Sequence, residues 1–384
     1  MSRCRRTVSK LRSLALAVLI GCAGVPAGSA PGTAPAPSDT GTAAGDGEPA
    51  ELLYICVQDE AKIAVVDMAS LELVHVVDLT SLGFSANAKP HHIAVDPDGE
   101  HWYVSLIGEN RVVRLDRDGA LVGQYETETP GMLALDPEGP LLLASRTMSA
   151  VSPPPLVSLI DPADMEGDEI EVLFPRPHPL ALSRDGRWAY TGSLGENVIA
   201  AIDLEAEEAT LTPVEGPPHA FVQFAVSPDG RTLVAATELS GLLMAFDLAD
   251  PAHPALLASV EVGPIAFDPA YAPDGRSVWV PVKGANQVAI VDPATWTVVR
   301  RIEGPSLRQP HAVVFSPDGR HAFVSNNAKA DHMADPGGGG EHAAHGPATD
   351  TVTGNVTVID VATHSIVKAI ELGSNVTGMG TRHG

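Results

Sequence analysis

The chain has 384 residues, with 24 Lys and Arg against 48 Asp and Glu, a formal net charge of −24. That balance repels nucleic acid and anionic lipid surfaces, and it leaves cationic partners or metal ions as the class the charge admits. Three cysteines are too few for a disulfide scaffold.

Arg3, Arg5, Arg6, Lys10 and Arg12 precede the apolar stretch 14–20, which is too short to span a bilayer and reads as an export signal over residues 1–21. Its end, Leu19-Ile20-Gly21-Cys22, resembles the bacterial lipoprotein box. The resemblance implies that Cys22 is diacylated and becomes the first residue, with Ala23 after it favouring the outer membrane. The alternative is plain secretion, cut after Ala30, but that places Pro31 beside the cut. Residues 22–50 are almost wholly Ala, Gly, Pro, Ser and Thr with a few acids. They bury too little apolar surface to fold and read as a flexible tether. Cys4 leaves with the signal, and Cys56 stands alone in an apolar run, a small core residue rather than a nucleophile.

From residue 51 onward the text repeats. Seven apolar runs close on an aspartate, at Asp67, Asp116, Asp161, Asp203, Asp247, Asp292 and Asp360. Pro-Asp-Gly or a close variant occurs six times, ending at Gly99, Gly139, Gly186, Gly230, Gly275 and Gly319, at intervals of 40–47 residues. Such a period, built from short apolar runs and turn residues, predicts one four-stranded propeller blade per repeat. In the last full copy Ala312–Phe315 is stopped by Ser316-Pro317-Asp318-Gly319, and His321–Val324 returns as a second strand. Val356–Asp360 is a third, and Ser365–Ile370 alternates as an outer strand should. The first copy lacks an inner strand before Leu52–Val57, and the tail Asn375–Gly380 resembles the opening of one. The fold class is therefore all-β, a single seven-bladed propeller over 51–384, with one blade closed by the two termini. Closure removes the open sheet edge.

These residues resemble the YVTN-type propeller repeat, of which Pro310-His311, Ser316–Gly319, Phe323–Asn326 and Asn355–Asp360 form a close copy. Pro90-His91 through Asp116 is another, whereas Thr129–Asp161 is degenerate. The resemblance covers about residues 51–381. It implies an exported propeller, often without assigned chemistry; nitrous oxide reductase carries a distantly related one.

Strand direction locates the candidate site. If each inner strand runs from face A to face B, the Pro-Asp-Gly turns lie on face B. The loops joining second and third strands then lie on face A, beside the openings of the inner strands. Aligned on the turns, the positions equivalent to His311 are His91, Gly131, His178, Val222, Phe267 and Gly378. His92 and His219 lie close to that ring. An insertion over 328–353, carrying His332, His342 and His345 with Asp331, Asp335 and Glu341, emerges on the same face. Neutral imidazoles gathered in this way suit copper or zinc. The plainer reading keeps the Pro-His pairs as repeat residues and the insertion as a solvent loop. The acidic run Asp161–Glu169 reads as a solvated turn, and the seven closing aspartates as acceptors for turn amides.

The expectation is a non-enzymatic, membrane-tethered, monomeric propeller facing the periplasm or cell surface. Face A would offer a platform for a protein, a peptide or a metal ion. The rival reading is a copper-dependent oxidoreductase or metal-handling protein, but the chain carries no second cupredoxin-like domain and no Cys/His/Met copper motif at its C-terminus.

Overall fold

The computed structural model describes residues 51–137, 140–147, 153–328 and 353–382. The expected export signal with Cys22, the tether and the insertion histidines His332, His342 and His345 lie outside these residues.

Seven four-stranded antiparallel sheets follow one another round a common axis as blades, each ordered from an inner strand outward. The inner strands are Pro90–Val95, Pro130–Leu135, Pro177–Leu182, Phe221–Val226, Ala270–Tyr271, Pro310–Phe315 and Val376–Gly380. Among the described residues, the five turns on face B that end at Gly99, Gly186, Gly230, Gly275 and Gly319 are built by Ser-Pro-Asp-Gly-like text. In the blade of Pro310–Phe315 the Gly319 amide donates to the Ser316 carbonyl at 2.8 Å, and the Ser316 hydroxyl donates to Asp318 at 2.7 Å. Gly319 has φ +67°, a left-handed conformation that glycine adopts without a steric penalty. The closing aspartates behave as expected. All seven accept backbone amides of the next turn through Oδ1, as Asp67 does from Ala69 and Ser70 and Asp360 does from Thr363.

The core lies between blades rather than within them. Trp102 of the second blade stacks on Tyr54 of the first at 4.7 Å and donates Nε1–H to the Asp116 carbonyl. Cys56 sits in the same cluster, fully buried, and burial pushes its thiol pKa up. The ring closes through the termini: Val376–Gly380 pairs antiparallel with Leu52–Val57, matching Val57 to Val376, Ile55 to Met379 and Tyr54 to Gly380. Arg382 adds a bidentate ion pair to Glu51.

Two repeated devices shape face A. The residue that precedes the opening of each inner strand, Lys89, Thr129, Arg176, Ala220, Gln309 or Asn375, and in the sixth blade Ile265 before the bridging Ala266, has φ between 45° and 60°. None is glycine, so each is strained by about 1 kcal/mol. The bend brings its carbonyl to the loop joining the second and third strands, as in Ile107 N–H to Lys89 O and Lys283 N–H to Ile265 O. Inner-strand openings and these loops therefore share one face. Next, the pairing register slips between Pro90 and Ile93, Pro130 and Leu133, Pro177 and Leu180, and Pro310 and Val313. Such a bulge re-aims side chains and frees an amide. In three blades a second-strand serine accepts that amide: Ser105 from His92, Ser145 from Met132 and Ser325 from Ala312.

Pairing also corrects two details of the repeat alignment. Val376 opposite Val57 corresponds to Pro90 opposite Leu106, so Thr377, not Gly378, holds the position of His311. The sixth inner strand is reduced to Ala270–Tyr271 because Pro269 has no N–H to donate. There Asp268 bridges in parallel to Ala312 and donates its amide to the His311 carbonyl at 3.2 Å.

Candidate functional site

His91 and His178 occupy the second positions of inner strands two blades apart, with Gly131 between them. Their rings meet edge to face at 6.0 Å. Nδ1 of His178 donates to the Val222 carbonyl at 2.6 Å, and Nδ1 of His91 donates to Gln58 Oε1 at 3.3 Å. His311, at the same position of the seventh blade, sets Nδ1 3.6 Å from Asp268 Oδ2 and packs on Phe267 at 4.7 Å. In His91 and His178 Nδ1 donates to an oxygen and so carries the proton, which assigns the lone pair to Nε2; the His311 contact is too long for a hydrogen bond and fixes no tautomer. The three are buried, at 5 %, 1 % and 5 % exposure. They form a floor beneath face A rather than an open rim.

The other two histidines of the predicted cluster are placed differently. His219 has Nδ1 on Ser240 Oγ at 2.8 Å and Nε2 on the Glu215 carbonyl at 3.1 Å, so both nitrogens hold its loop. His92 points into the axial channel. Its Nδ1 accepts the Leu133 amide at 3.2 Å, so Nε2 carries the proton and cannot ligate a metal in that tautomer. Burial lowers its pKa to about 4. Among the described residues no group of three or more His, Cys, Asp or Glu has metal-holding geometry.

The position directly after each second strand was missed by the motif reading. It carries Gln58, Ile107, Thr147, Leu194, Glu238, Lys283 and Asn327, and counting from the second-strand text would have found this ring. Glu238 and Lys283 are buried on adjacent blades; the Lys283 ammonium donates to Asn327 Oδ1 and lies 4.8 Å over Phe267. Around this floor the same loops carry Asp59, Glu60, Glu109 and Glu196 at partly or fully exposed positions. Face A is thus a rim of mixed charge over a histidine floor, its carboxylates set among Lys62, Lys89, Arg111, Arg176 and Arg308, with Glu60 paired to Lys62 at 2.9 Å. Ala328, where the insertion leaves the described chain, joins this face through its amide to the Arg308 carbonyl.

Below the floor the channel opens into a cavity of about 510 Å³ that reaches the turns of face B. Its walls come from inner strands of all seven blades, with His92, Gln223 and Asp268 among the lining residues.

No family model matches the chain, and no curated protein matches it in sequence. Solved structures resemble it in fold. A functionally unknown protein from Desulfotomaculum acetoxidans superposes with a TM-score of 0.65 at 12% identity, over 86% of this chain and 98% of that one. The periplasmic gluconolactonase of Pseudomonas aeruginosa gives 0.64 at 19% identity, over 87% and 99%. A dihydro-heme d1 dehydrogenase gives 0.60 at 15% identity, over 87% and 76%. At these identities the similarity establishes the propeller and nothing of its chemistry.

Proposed function

We propose that this chain is a non-catalytic binding propeller of the bacterial cell envelope, whose face A takes a cationic ligand: a basic peptide segment of a partner protein, or a metal ion. The observation that carries the reading is the floor where His91 and His178 meet at 6.0 Å beneath the carboxylates of Asp59, Glu109 and Glu196. A cation gains from these carboxylates at long range and from the buried oxygens and imidazoles at short range.

The metal version is favoured by one further feature. Metal-ligating histidines almost always commit the other ring nitrogen to an oxygen, which fixes ring and tautomer. His91 and His178 each do so. Copper or zinc would draw on the Nε2 atoms of His91 and His178, with further ligands from the insertion histidines. The same site is the starting point for the rival copper-enzyme reading, to which the fold adds nothing.

Titration calorimetry of the full chain with zinc, and separately with a lysine-rich heptapeptide, tests this. Binding of one or the other is expected, falling with added salt for the peptide and falling at least tenfold for zinc in a His91→Ala/His178→Ala/His311→Ala variant. No heat with either probe would remove face A as a cation site. We further propose that Cys22 carries lipid and that residues 22–50 tether the propeller to the membrane, in keeping with the signal-like residues 1–21. Cys22→Ser is expected to move the protein from the membrane fraction to the soluble fraction; retention in the membrane fraction would show another anchor.

A further inference from the structure

The channel behind the histidine floor is a second candidate site, built from different atoms. The third residue of each inner strand forms one layer across it: His92, Met132, Pro179, Gln223, Asp268, Ala312 and Gly378, by strand pairing. Below that layer the wall is mainly apolar, with residues such as Ile93, Leu133, Leu180, Phe224 and Val313, and the charged residues Asp136, Arg184 and Arg382 line its face B end. In the layer itself two side chains present donors to the cavity. His92 spends Nδ1 on the Leu133 amide, which leaves Nε2–H. Gln223 spends Oε1 on the amides of Leu180 and Phe224, at 3.1 and 3.0 Å, which leaves its NH2 group. Among the described residues neither donor meets a protein acceptor.

We propose that this channel binds a small uncharged organic molecule, apolar in body and bearing a carbonyl-type acceptor that takes the hydrogen bonds of His92 and Gln223. A volume of about 510 Å³ lies within the range of small-molecule sites. The apolar stretch of wall disfavours a charged ligand, because it gives an ion nothing in exchange for its water. An anion meets Asp268 in the same layer and a chain of net charge −24. A cation finds the carboxylates of Asp268 and Asp136, but these are set against the two N–H donors of the layer and against Arg184 and Arg382. The neutral acceptor remains, entering from face B, since the floor closes the other end. This site does not depend on the cation reading of face A.

The probe is 6-propionyl-2-dimethylaminonaphthalene, a neutral ketone whose fluorescence reports both burial and hydrogen bonding, with N,N-dimethyl-2-naphthylamine as the analogue lacking the carbonyl. Added to the full chain, the ketone is expected to bind at one saturable site, about tenfold tighter than the analogue, because the analogue leaves both donors unsatisfied. Gln223→Met, close to Gln in volume, should erase most of that preference while leaving the analogue's affinity within about twofold. Ala134→Phe, which fills the cavity without touching either donor, should abolish binding of both probes and keeps the test decisive if Gln223→Met does not fold. The proposal is overturned if no saturable binding is seen, if ketone and analogue bind alike, or if Ala134→Phe binds as the parent does. A His91→Ala/His178→Ala/His311→Ala variant should bind the ketone normally even where it loses cation binding, so the two sites fail separately.

Discussion

Removal of residues 374–384 is expected to abolish cooperative folding and yield an aggregating chain. That segment supplies the inner strand of the blade begun by Leu52–Val57. Val376 and Met379 are buried between neighbouring blades, at about 1.5–3 kcal/mol each. Asn375 accepts the Gln58 amide and Asn327 donates to the Val376 carbonyl, and Arg382 ties the end to Glu51. Together these approach the whole net stability of an ordinary domain, roughly 5–15 kcal/mol. The cut also exposes the edge of Leu52–Val57, a strand of six residues buried on both faces and so a template for intermolecular pairing. Thermal unfolding followed by circular dichroism, with light scattering, checks this. A truncated chain that melts cooperatively at the parent temperature would rule out closure by the termini.

The second large effect concerns pH. His92 is held neutral in the folded chain, its pKa pushed down to about 4 by burial, against about 6.5 in the unfolded chain. Between those values the unfolded state binds the proton and the folded state does not, so stability falls as pH falls from 6.5 toward 4. The loss from this residue alone is ~2 kcal/mol by pH 5 and ~3 kcal/mol by pH 4. His92→Gln keeps an acceptor for the Leu133 amide but cannot be protonated, so its stability should change less over that window. His364, lowered by burial and by Arg300, contributes a smaller slope in both proteins. Turn carboxylates such as Asp318, held at about 2 mainly by the Arg320 amide and the Ser316 hydroxyl, lose their contribution only as pH falls from about 4 to 2. Denaturant midpoints at pH 7, 5.5 and 4.5 for both proteins provide the comparison; parallel profiles would show that His92 does not titrate as stated.

Blade number and closure were legible because each turn and each closing aspartate is marked by residues that the backbone itself requires. The seven-to-six mismatch of marks at Asp67–Asp360 and Gly99–Gly319 could have no other home than the termini. The shared face of His91, His178 and His311 was legible too, since strand direction follows from turn order. What the text did not carry was the bulge after each inner-strand proline. A bulge adds a residue without a residue type that signals it, which is why Gly378 was aligned where Thr377 sits. For the same reason His92 reads as a neighbour of His91, whereas it faces the channel and bonds Leu133. Nor could the text place Asp268 beside His311, a contact created by Pro269 breaking its own strand. The burial of the histidines beneath Gln58, Glu238, Lys283 and Asn327 belongs to a second ring that carries no shared motif.

The orientation of these imidazoles is read directly by long-range nitrogen-15 correlation spectra of histidine-labelled protein, with assignment by single substitutions. The predicted result is Nδ1–H tautomers for His91 and His178 and an Nε2–H tautomer for His92 at pH 7, with zinc perturbing the Nε2 signals of the first two and leaving His92 and His219 unmoved. Nε2–H tautomers at His91 and His178, or a zinc response centred on His92, would contradict it.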